Sequence, residues 1–204
     1  MGYDSPETYS RRSAVALFSL GVTGLSLVSL FLQSVLTFAQ VPQASKHTVT
    51  GFQLTTTAFE ADGAIPSKYS CSGGNVSPAL AWTEPPAGTQ SFALIVDDPD
   101  ASAATPAVHW LIYAIPASAR SLPEGIATKP NLPDKSKQGK NSAGKVGYRG
   151  PCPDPGKVHH YFFKLYALDY VPSLKAKGNI GDLETAVKDH VLDTAELIGR
   201  FQWE

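Results

Sequence analysis

The sequence is poor in cysteine and has almost no excess of either charge. Two of its 204 residues are cysteines and no C-x-x-C is present, which excludes a zinc ribbon and a thioredoxin-like redox motif. Lysine and arginine together number 17, and aspartate and glutamate 18, giving a formal net charge of −1. This balance indicates neither a nucleic-acid partner nor a basic surface for membranes.

The common catalytic and nucleotide-binding motifs are also missing. The sequence contains no G-x-S-x-G, no P-loop, no G-x-G-x-x-G and no H-E-x-x-H. We therefore predict no cofactor, no metal ion and no catalytic residue. A Ser-His-Asp arrangement stays open as an alternative, because such triads are defined by geometry rather than by spacing.

The two cysteines, Cys71 and Cys152, allow two interpretations. In an oxidising compartment they could form one disulfide. They could equally be two small buried thiols, because the sequence does not show whether their Cα atoms lie close enough for a bond.

The N-terminus reads as a targeting segment. Residues 1–12 are polar and end in Arg11 and Arg12, and residues 13–39 carry no charge and are rich in apolar side chains. A basic pair, an apolar run and a small-residue exit form the order of a secretory signal, with Ala39-Gln40 as a reasonable cleavage point. The run is also long enough for an uncleaved membrane anchor, and a buried core helix is a third alternative.

Both favoured alternatives place the folded part outside the cytoplasm. We therefore expect an exported, periplasmic or otherwise extracytoplasmic protein, whose membrane contact is limited to residues 13–39 if they are not removed. Residues 40–50 are polar and aperiodic and predict a linker. Residues 51–204 remain as one domain, long enough to bury a full core.

Glycine and proline are abundant, at 17 and 16 residues, which favours short strands joined by turns. Apolar and alternating runs predict strands at 51–59, 79–83, 91–96, 108–115 and 159–168. Helical spacing predicts a helix over 182–191, and residues 195–203 would extend that helix or, as we favour, form a last strand. The predicted fold is mainly β, an antiparallel β-sandwich with a short helix near the C-terminus.

Two polar features lie on or beside these strands. Residues 97–100 read DDPD and follow an apolar strand, so they predict either an Asx turn or a carboxylate that orients an imidazole. His109 lies inside an apolar strand, where it is either a hydrogen-bonded core residue or a ligand-binding side chain. Residues 127–156, rich in glycine, proline and lysine, form an unusually long loop, and such loops are usually functional or mobile.

A third feature is the sequence His159-His160-Tyr161 at the start of a strand. Adjacent strand residues point to opposite faces, so His159 and Tyr161 share one face and His160 lies on the other. Only one of the two histidines can therefore belong to the same site as Tyr161.

Taken in order, these segments resemble the phosphatidylethanolamine-binding protein family, in particular its bacterial, Raf-kinase-inhibitor-like branch. The resemblance covers residues 51–204. The segments that carry it are GNVSP (74–78), Trp82, PAGT (86–89), SFALIVDDPD (91–100), HW (109–110), IPA (115–117), GY (147–148), GPCP (150–153) and HHYFFKLYALD (159–169).

The resemblance implies a β-sandwich with Greek-key connections and a small pocket for phosphate-like anions such as phospholipid headgroups. By position, the pocket carboxylate corresponds to Asp98 and the two pocket histidines to His109 and His159, with Tyr161 beside the second. Residues 150–153 would form one wall, which contributes three ligand-binding residues, Gly150, Pro151 and Pro153.

The sequence departs from the family pattern in three places. Ser102 replaces the second proline of the D-P-D-A-P run, and Ala143 replaces an aromatic residue before the wall. Asp154 stands where proline is common and adds a negative charge near the expected anion site. These departures bear on ligand affinity more than on the fold.

The expected function is non-catalytic binding of a small anion or a phospholipid headgroup, with a regulatory or inhibitory role towards a partner enzyme as an extension. One alternative is a hydrolase or metal-dependent enzyme that uses the same histidine and aspartate cluster. Another is a protein-interaction module that acts through the loop at 127–156.

Overall fold

The structure is a computed structural model that describes residues 51–101 and 104–203. The predicted secretory segment, 1–39, and the linker, 40–50, lie outside these residues. Within the described ranges, no helix is long and apolar enough to cross a membrane.

Nine strands and one α-helix make up the regular structure of the described residues. The strands are β1 (Leu54–Thr55), β2 (Gly63–Ala64), β3 (Leu80–Trp82), β4 (Ser91–Asp98), β5 (Ala107–Pro116), β6 (Ser121–Leu122), β7 (Lys137–Gln138), β8 (Val158–Leu168) and β9 (Val191–Gln202). The helix α1 (Ile180–Val187) lies between β8 and β9, and a short 3-10 turn spans Ser67–Tyr69.

These strands form two sheets. The larger has the order β2-β9-β8-β4-β5-β7 and the smaller the order β1-β3-β6. Neighbouring strands are antiparallel except for the short parallel pair of β2 and β9. The prediction of a mainly β fold with one short helix near the C-terminus is confirmed, whereas the sandwich arrangement with Greek-key connections stays a prediction.

The central strand β4 is buried along its whole length. Phe92 and Leu94 belong to the main hydrophobic cluster, which also includes Trp82 of the smaller sheet. Ile95 belongs to a second cluster on the opposite face, which includes Leu183 of α1. Successive residues of a strand face opposite sides, so a strand covered on both sides needs an uninterrupted apolar run.

Three strand predictions, 79–83, 108–115 and 159–168, are confirmed to within one residue by β3, β5 and β8. The prediction that 51–59 is a strand was wrong over most of its length, since only β1 pairs, through Leu54 and Thr55. The chain turns immediately afterwards. The Thr56 hydroxyl donates to Ala79 O and accepts from Ala58 N, so a local side-chain bond replaces strand pairing.

The strand predicted at 91–96 continues two residues further. Asp97 pairs with Val108 and Asp98 with Ala107 across the ladder. Asp97 is tolerated inside the sheet because Lys164 on neighbouring β8 forms an ion pair with it at 2.8 Å. The predicted end of this strand, at residue 96, was therefore wrong by two residues.

The helix predicted over 182–191 begins and ends earlier, as α1. Asn179 caps it, since its side chain accepts from Asp182 N and the Asp182 carboxylate accepts from Asn179 N. Val191 is instead the first residue of β9 and pairs with Leu168. The preferred strand at 195–203 is confirmed, and it begins four residues earlier because β9 pairs along the whole of β8.

The long loop at 127–156 is held to β5 by a buried glutamine. Gln138 lies in β7 opposite Ile112, and its side-chain oxygen accepts from Trp110 Nε1 at 2.7 Å. Its side-chain nitrogen donates to the carbonyl oxygens of Ala127 and Lys129. The first half of the loop is thereby tied to the sheet. Its second half bonds to the beginning of β5, where Ser142 N donates to Val108 O and Arg149 N donates to His109 O.

Candidate ligand-binding site

Asp98, the last residue of β4, uses its two carboxylate oxygens for different purposes. Oδ1 accepts from the backbone N–H of Asp100 at 2.9 Å and of Ala101 at 3.1 Å, which forms an Asx turn. Oδ2 accepts from Nδ1 of His159 at 2.8 Å, and both side chains are almost fully buried. The sequence allowed either an Asx turn or a carboxylate that orients an imidazole, and Asp98 does both.

The alternation of side chains along β8 is as predicted. His159 and Tyr161 are buried, at 7% and 1% exposure, and lie on one face. His160 lies on the other face, where its Nδ1 and its backbone N–H both contact the Asp100 carboxylate. The prediction that His160 is separated from the other two is confirmed.

His109 on β5 completes the group. Its Nδ1 lies 2.8 Å from the carbonyl oxygen of Arg149, and the Arg149 N–H donates back to His109 O at 2.9 Å. The Tyr161 ring packs edge-on against the imidazole, with centroids 5.1 Å apart. Tyr161 of β8, which is separated from β5 by β4, and the long loop therefore both hold this ring in place.

A cavity of about 230 Å³ lies where these side chains meet. Its described lining consists of Asp98, Ala101, Ala107, His109, Arg149, Cys152, Pro153, Asp154 and His159. Four of the predicted ligand-binding residues, Asp98, His109, Pro153 and His159, are thus brought together although they lie far apart in the chain. The other three, Gly150, Pro151 and Tyr161, are not part of the lining.

Gly150 and Pro151 instead attach the pocket wall to the loop at 66–78. Gly150 N donates to Asn75 Oδ1 at 2.7 Å, and Pro151 O accepts from Cys71 N at 3.0 Å. A Cβ atom at position 150 would lie only 2.1 Å from Tyr69 O, so the close approach of the two segments requires glycine.

Tyr161 is buried but does not line the cavity. Its hydroxyl is buried and has no hydrogen-bond partner among the described residues. Burial, with the neighbouring Asp98 carboxylate as a second cause, raises the pKa of Tyr161 well above its ordinary value. The phenol therefore stays neutral and supports the His109 ring by packing.

A disulfide joins Cys71 to Cys152, with Cα atoms 5.5 Å apart. The sequence left open whether these cysteines form a disulfide or remain thiols, and in the structure they form the disulfide. Cys152 lines the cavity, so the bond links the wall directly to the loop at 66–78.

The hydrogen bonds of the two pocket histidines determine which ring nitrogen carries a proton. A carbonyl or carboxylate oxygen can only accept, so Nδ1 is the donor in both His109 and His159. When neutral, each ring therefore has its lone pair on Nε2. Burial lowers the pKa of His109, although its bond to Arg149 and the charge of Asp98 act in the opposite direction.

The remaining charges around the cavity are mixed. Asp154 lines it and forms an ion pair with Lys157 at 3.2 Å, with both side chains largely exposed. Arg149 also lines it and was missed by the sequence reasoning. Its position next to the GPCP segment was the available signal, because a cation beside a predicted anion site is a natural candidate.

No group of three or more histidine, cysteine, aspartate or glutamate side chains within the described residues is arranged to hold a metal ion. A separate cavity of about 550 Å³ lies beside the end of β9 and includes Arg200 and Trp203. Arg200 already donates from Nε to Asp62 O. The cluster of Asp98, His109 and His159 is thus the better candidate site.

Comparisons with known proteins place the chain among its relatives. The family model described as "Phosphatidylethanolamine-binding protein" matches residues 55–202. A UPF0098 protein of Methanothermobacter thermautotrophicus is 47% identical over 149 residues, which cover 73% of this chain and 97% of that protein.

Two solved structures are similar to this chain. One is a phosphatidylethanolamine-binding protein homolog, CT736, from Chlamydia trachomatis, with a TM-score of 0.68 and 36% identity, covering 76% of this chain and 99% of that one. The other is Escherichia coli YbcL, described as a member of the mammalian PEBP family, with a TM-score of 0.70 and 32% identity, covering 76% and 100%.

Proposed function

Because this chain belongs to the phosphatidylethanolamine-binding protein family, which supports a ligand-binding role, we propose that it binds small phosphate-like anions or phospholipid headgroups without catalysing a reaction. The observation that carries the proposal is the pair of imidazoles, His109 and His159, in the lining of one small cavity. Both rings are held through Nδ1, which leaves Nε2 of each for a ligand.

The charge state of the rings decides what they can hold. A protonated ring donates from Nε2 to a phosphate oxygen, and a neutral ring accepts there from a ligand hydroxyl. Asp98 lies beside His159 and compensates its positive charge when the ring is protonated. A phosphate monoester carries both acceptor oxygens and, in its monoanionic form, a hydroxyl, so it suits both states.

The size and construction of the cavity favour a headgroup. Its volume of about 230 Å³ lies below the range of about 300–1,000 Å³ that is usual for small-molecule sites, so it has no room for acyl chains. The wall at 150–153 is held by proline rings, a disulfide and backbone hydrogen bonds. A rigid wall lowers the entropic cost of ordering the site around its ligand.

The composition of the lining supports binding rather than hydrolysis. Within the described residues, the cavity is lined by no serine or threonine, and the sulfur of Cys152 is committed to the disulfide. The lining therefore offers a ligand several hydrogen-bonding groups, but neither a hydroxyl nor a free thiol as a nucleophile. Turnover of a phosphomonoester or carboxylic ester that His159→Gln abolishes would overturn this part of the proposal.

The binding proposal is tested by titrating the protein with inorganic phosphate and with phosphoethanolamine while the imidazole proton resonances are followed. We expect His109 and His159 to shift with both ligands, and His159→Gln to weaken binding. His160→Gln is the matched control, because His160 neighbours His159 in sequence but lies on the opposite face. Absence of shifts at millimolar ligand would refute the proposal.

We also propose that the chain is exported. The apolar run at 13–39 after two arginines supports this, and so does a disulfide, a bond that persists in oxidising compartments. The test is cell fractionation of the full-length chain against a variant without residues 1–39. Equal retention of both in the cytoplasm would contradict export.

A further inference from the structure

A second cavity, of about 560 Å³, borders the ligand site at Arg149. Its lining includes Asn75, Thr128, Asn141, Lys145, Tyr148 and Arg149. Cys71 also lines it, while its disulfide partner Cys152 lines the first cavity. The two cavities therefore share the Arg149 residue and are linked by the disulfide.

The polar groups of this lining are mostly hydrogen-bond donors. Asn75 Oδ1 is occupied by the N–H of Gly150 at 2.7 Å, which leaves the side-chain NH₂ of Asn75 for another partner. Lys145 and Arg149 make no ion pair within the described residues.

The loop that carries Lys145 is held by a buried side chain. Asn141 Nδ2 donates to Gly147 O at 3.1 Å, and its Oδ1 accepts from the backbone N–H of Ala143 and Lys145. Asn141 thus fixes the turn that brings Lys145 towards Arg149. The backbone position of Lys145 is thus fixed by the fold.

The two cavities differ in the charged groups that line them. The first has two carboxylates, Asp98 and Asp154, together with Arg149 and the two histidines. The second has Lys145 and Arg149, and no carboxylate of the described residues lines it. At neutral pH the second cavity is therefore the more attractive of the two for an oxyanion.

We propose that this second cavity is a separate binding site for a phosphate-like oxyanion, held by Lys145, Arg149 and the side-chain amide of Asn75. His109 and His159 are not among the residues that line it. Since Arg149 lines both cavities, a ligand with two anionic groups can place one group in each cavity and contact Arg149 from both.

The test follows inorganic phosphate binding to the full-length chain by nuclear magnetic resonance. The reporters are the side-chain amide of Asn75 and the backbone amide of Lys145 for the second site, and the imidazoles of His109 and His159 for the first. Lys145→Gln removes one cation of the second site. Lys140→Gln is the matched control, because it removes the same charge from the same loop outside the cavity lining.

We expect Lys145→Gln to weaken phosphate binding at the Asn75 and Lys145 reporters by about fivefold, as the loss of one exposed charge contact would. The histidine reporters should not change in this variant, whereas Arg149→Gln should weaken binding at both sets. The proposal would be overturned if Lys145→Gln and Lys140→Gln had the same phosphate affinity at these reporters. It would also be overturned if phosphate caused no shift at Asn75 and Lys145 in the natural chain. Shifts at Asn75 and Lys145 without shifts at the histidines would support this site and refute the function proposed for the first.

Discussion

Asp98 and His159 are 61 residues apart in the chain, yet Oδ2 of the carboxylate accepts from Nδ1 of the ring at 2.8 Å in a buried position. The other oxygen, Oδ1, forms the turn that ends β4. The same side chain therefore closes a strand and orients a pocket histidine. A substitution can separate these two contributions.

We expect Asp98→Asn to keep one of the two contacts and lose the other. An amide has one acceptor oxygen, so it can accept either from the turn N–H groups or from His159 Nδ1. Asp98→Ala loses both contacts and should lower the free energy of unfolding by about 3 kcal/mol, with a smaller loss of about 1–2 kcal/mol for Asp98→Asn. Urea unfolding measures both, and equal losses would contradict a divided role.

Phosphate should alter the titration of His109. Burial lowers the pKa of this ring from its ordinary value of 6.5. An anion at Nε2 favours the protonated form, so phosphate should raise the pKa of His109 and phosphate affinity should increase as the pH falls towards that pKa. The pH titration of the His109 ring protons, with and without phosphate, measures this. An unchanged pKa would contradict contact with the anion.

The same lowered pKa has a consequence for stability without ligand. Below pH 6.5 the unfolded chain binds a proton at His109 that the folded chain does not yet bind, so folding becomes less favourable as the pH falls towards the folded pKa. Above pH 6.5 the ring is neutral in both the folded and the unfolded chain, so no stability is lost there. His109→Gln should therefore show a weaker fall in unfolding free energy below pH 6.5 than the natural chain. Parallel pH profiles for the two proteins would contradict the assignment.

Gly150→Ala should disrupt the pocket wall. The added Cβ would lie 2.1 Å from Tyr69 O, so the backbone must move, at a cost of about 2–3 kcal/mol in unfolding free energy. Gly181→Ala is the control. There the nearest atom would be 3.4 Å away, and alanine in a helix is favoured over glycine by up to about 1 kcal/mol. A similar effect of both substitutions would contradict the close packing at residue 150.

Reduction of the disulfide should weaken both the fold and the site. The bond closes a sequence separation of 81 residues, and its loss should lower the unfolding free energy by about 2–4 kcal/mol. Phosphate affinity should fall as well, because Cys152 is part of the wall. The double variant Cys71→Ser/Cys152→Ser is the control, since a reductant cannot change it further. An unchanged melting temperature of the natural chain in reductant would contradict this prediction.

Local patterns were sufficient to predict much of this structure. Apolar runs located β3, β5 and β8, and the two-residue period placed His159 and Tyr161 together and His160 apart. The apolar runs and the two-residue period both depend on the geometry of a few consecutive residues. The extent of β4 and the end of α1 were missed because Lys164 and β8, which decide them, lie elsewhere in the chain.

The sequence by itself determined that the domain is mainly β, which residues share a face of β8, and, through its resemblance to a family, which polar residues to examine. Only the tertiary structure decided that Asp98 and Arg149 hold the two Nδ1 atoms, that Cys71 bonds to Cys152, and that Arg149 stands between two cavities. Periodicity depends on backbone geometry within one strand. Those contacts join residues 40 to 81 positions apart, and only the packing of the sheets and the long loop brings them together.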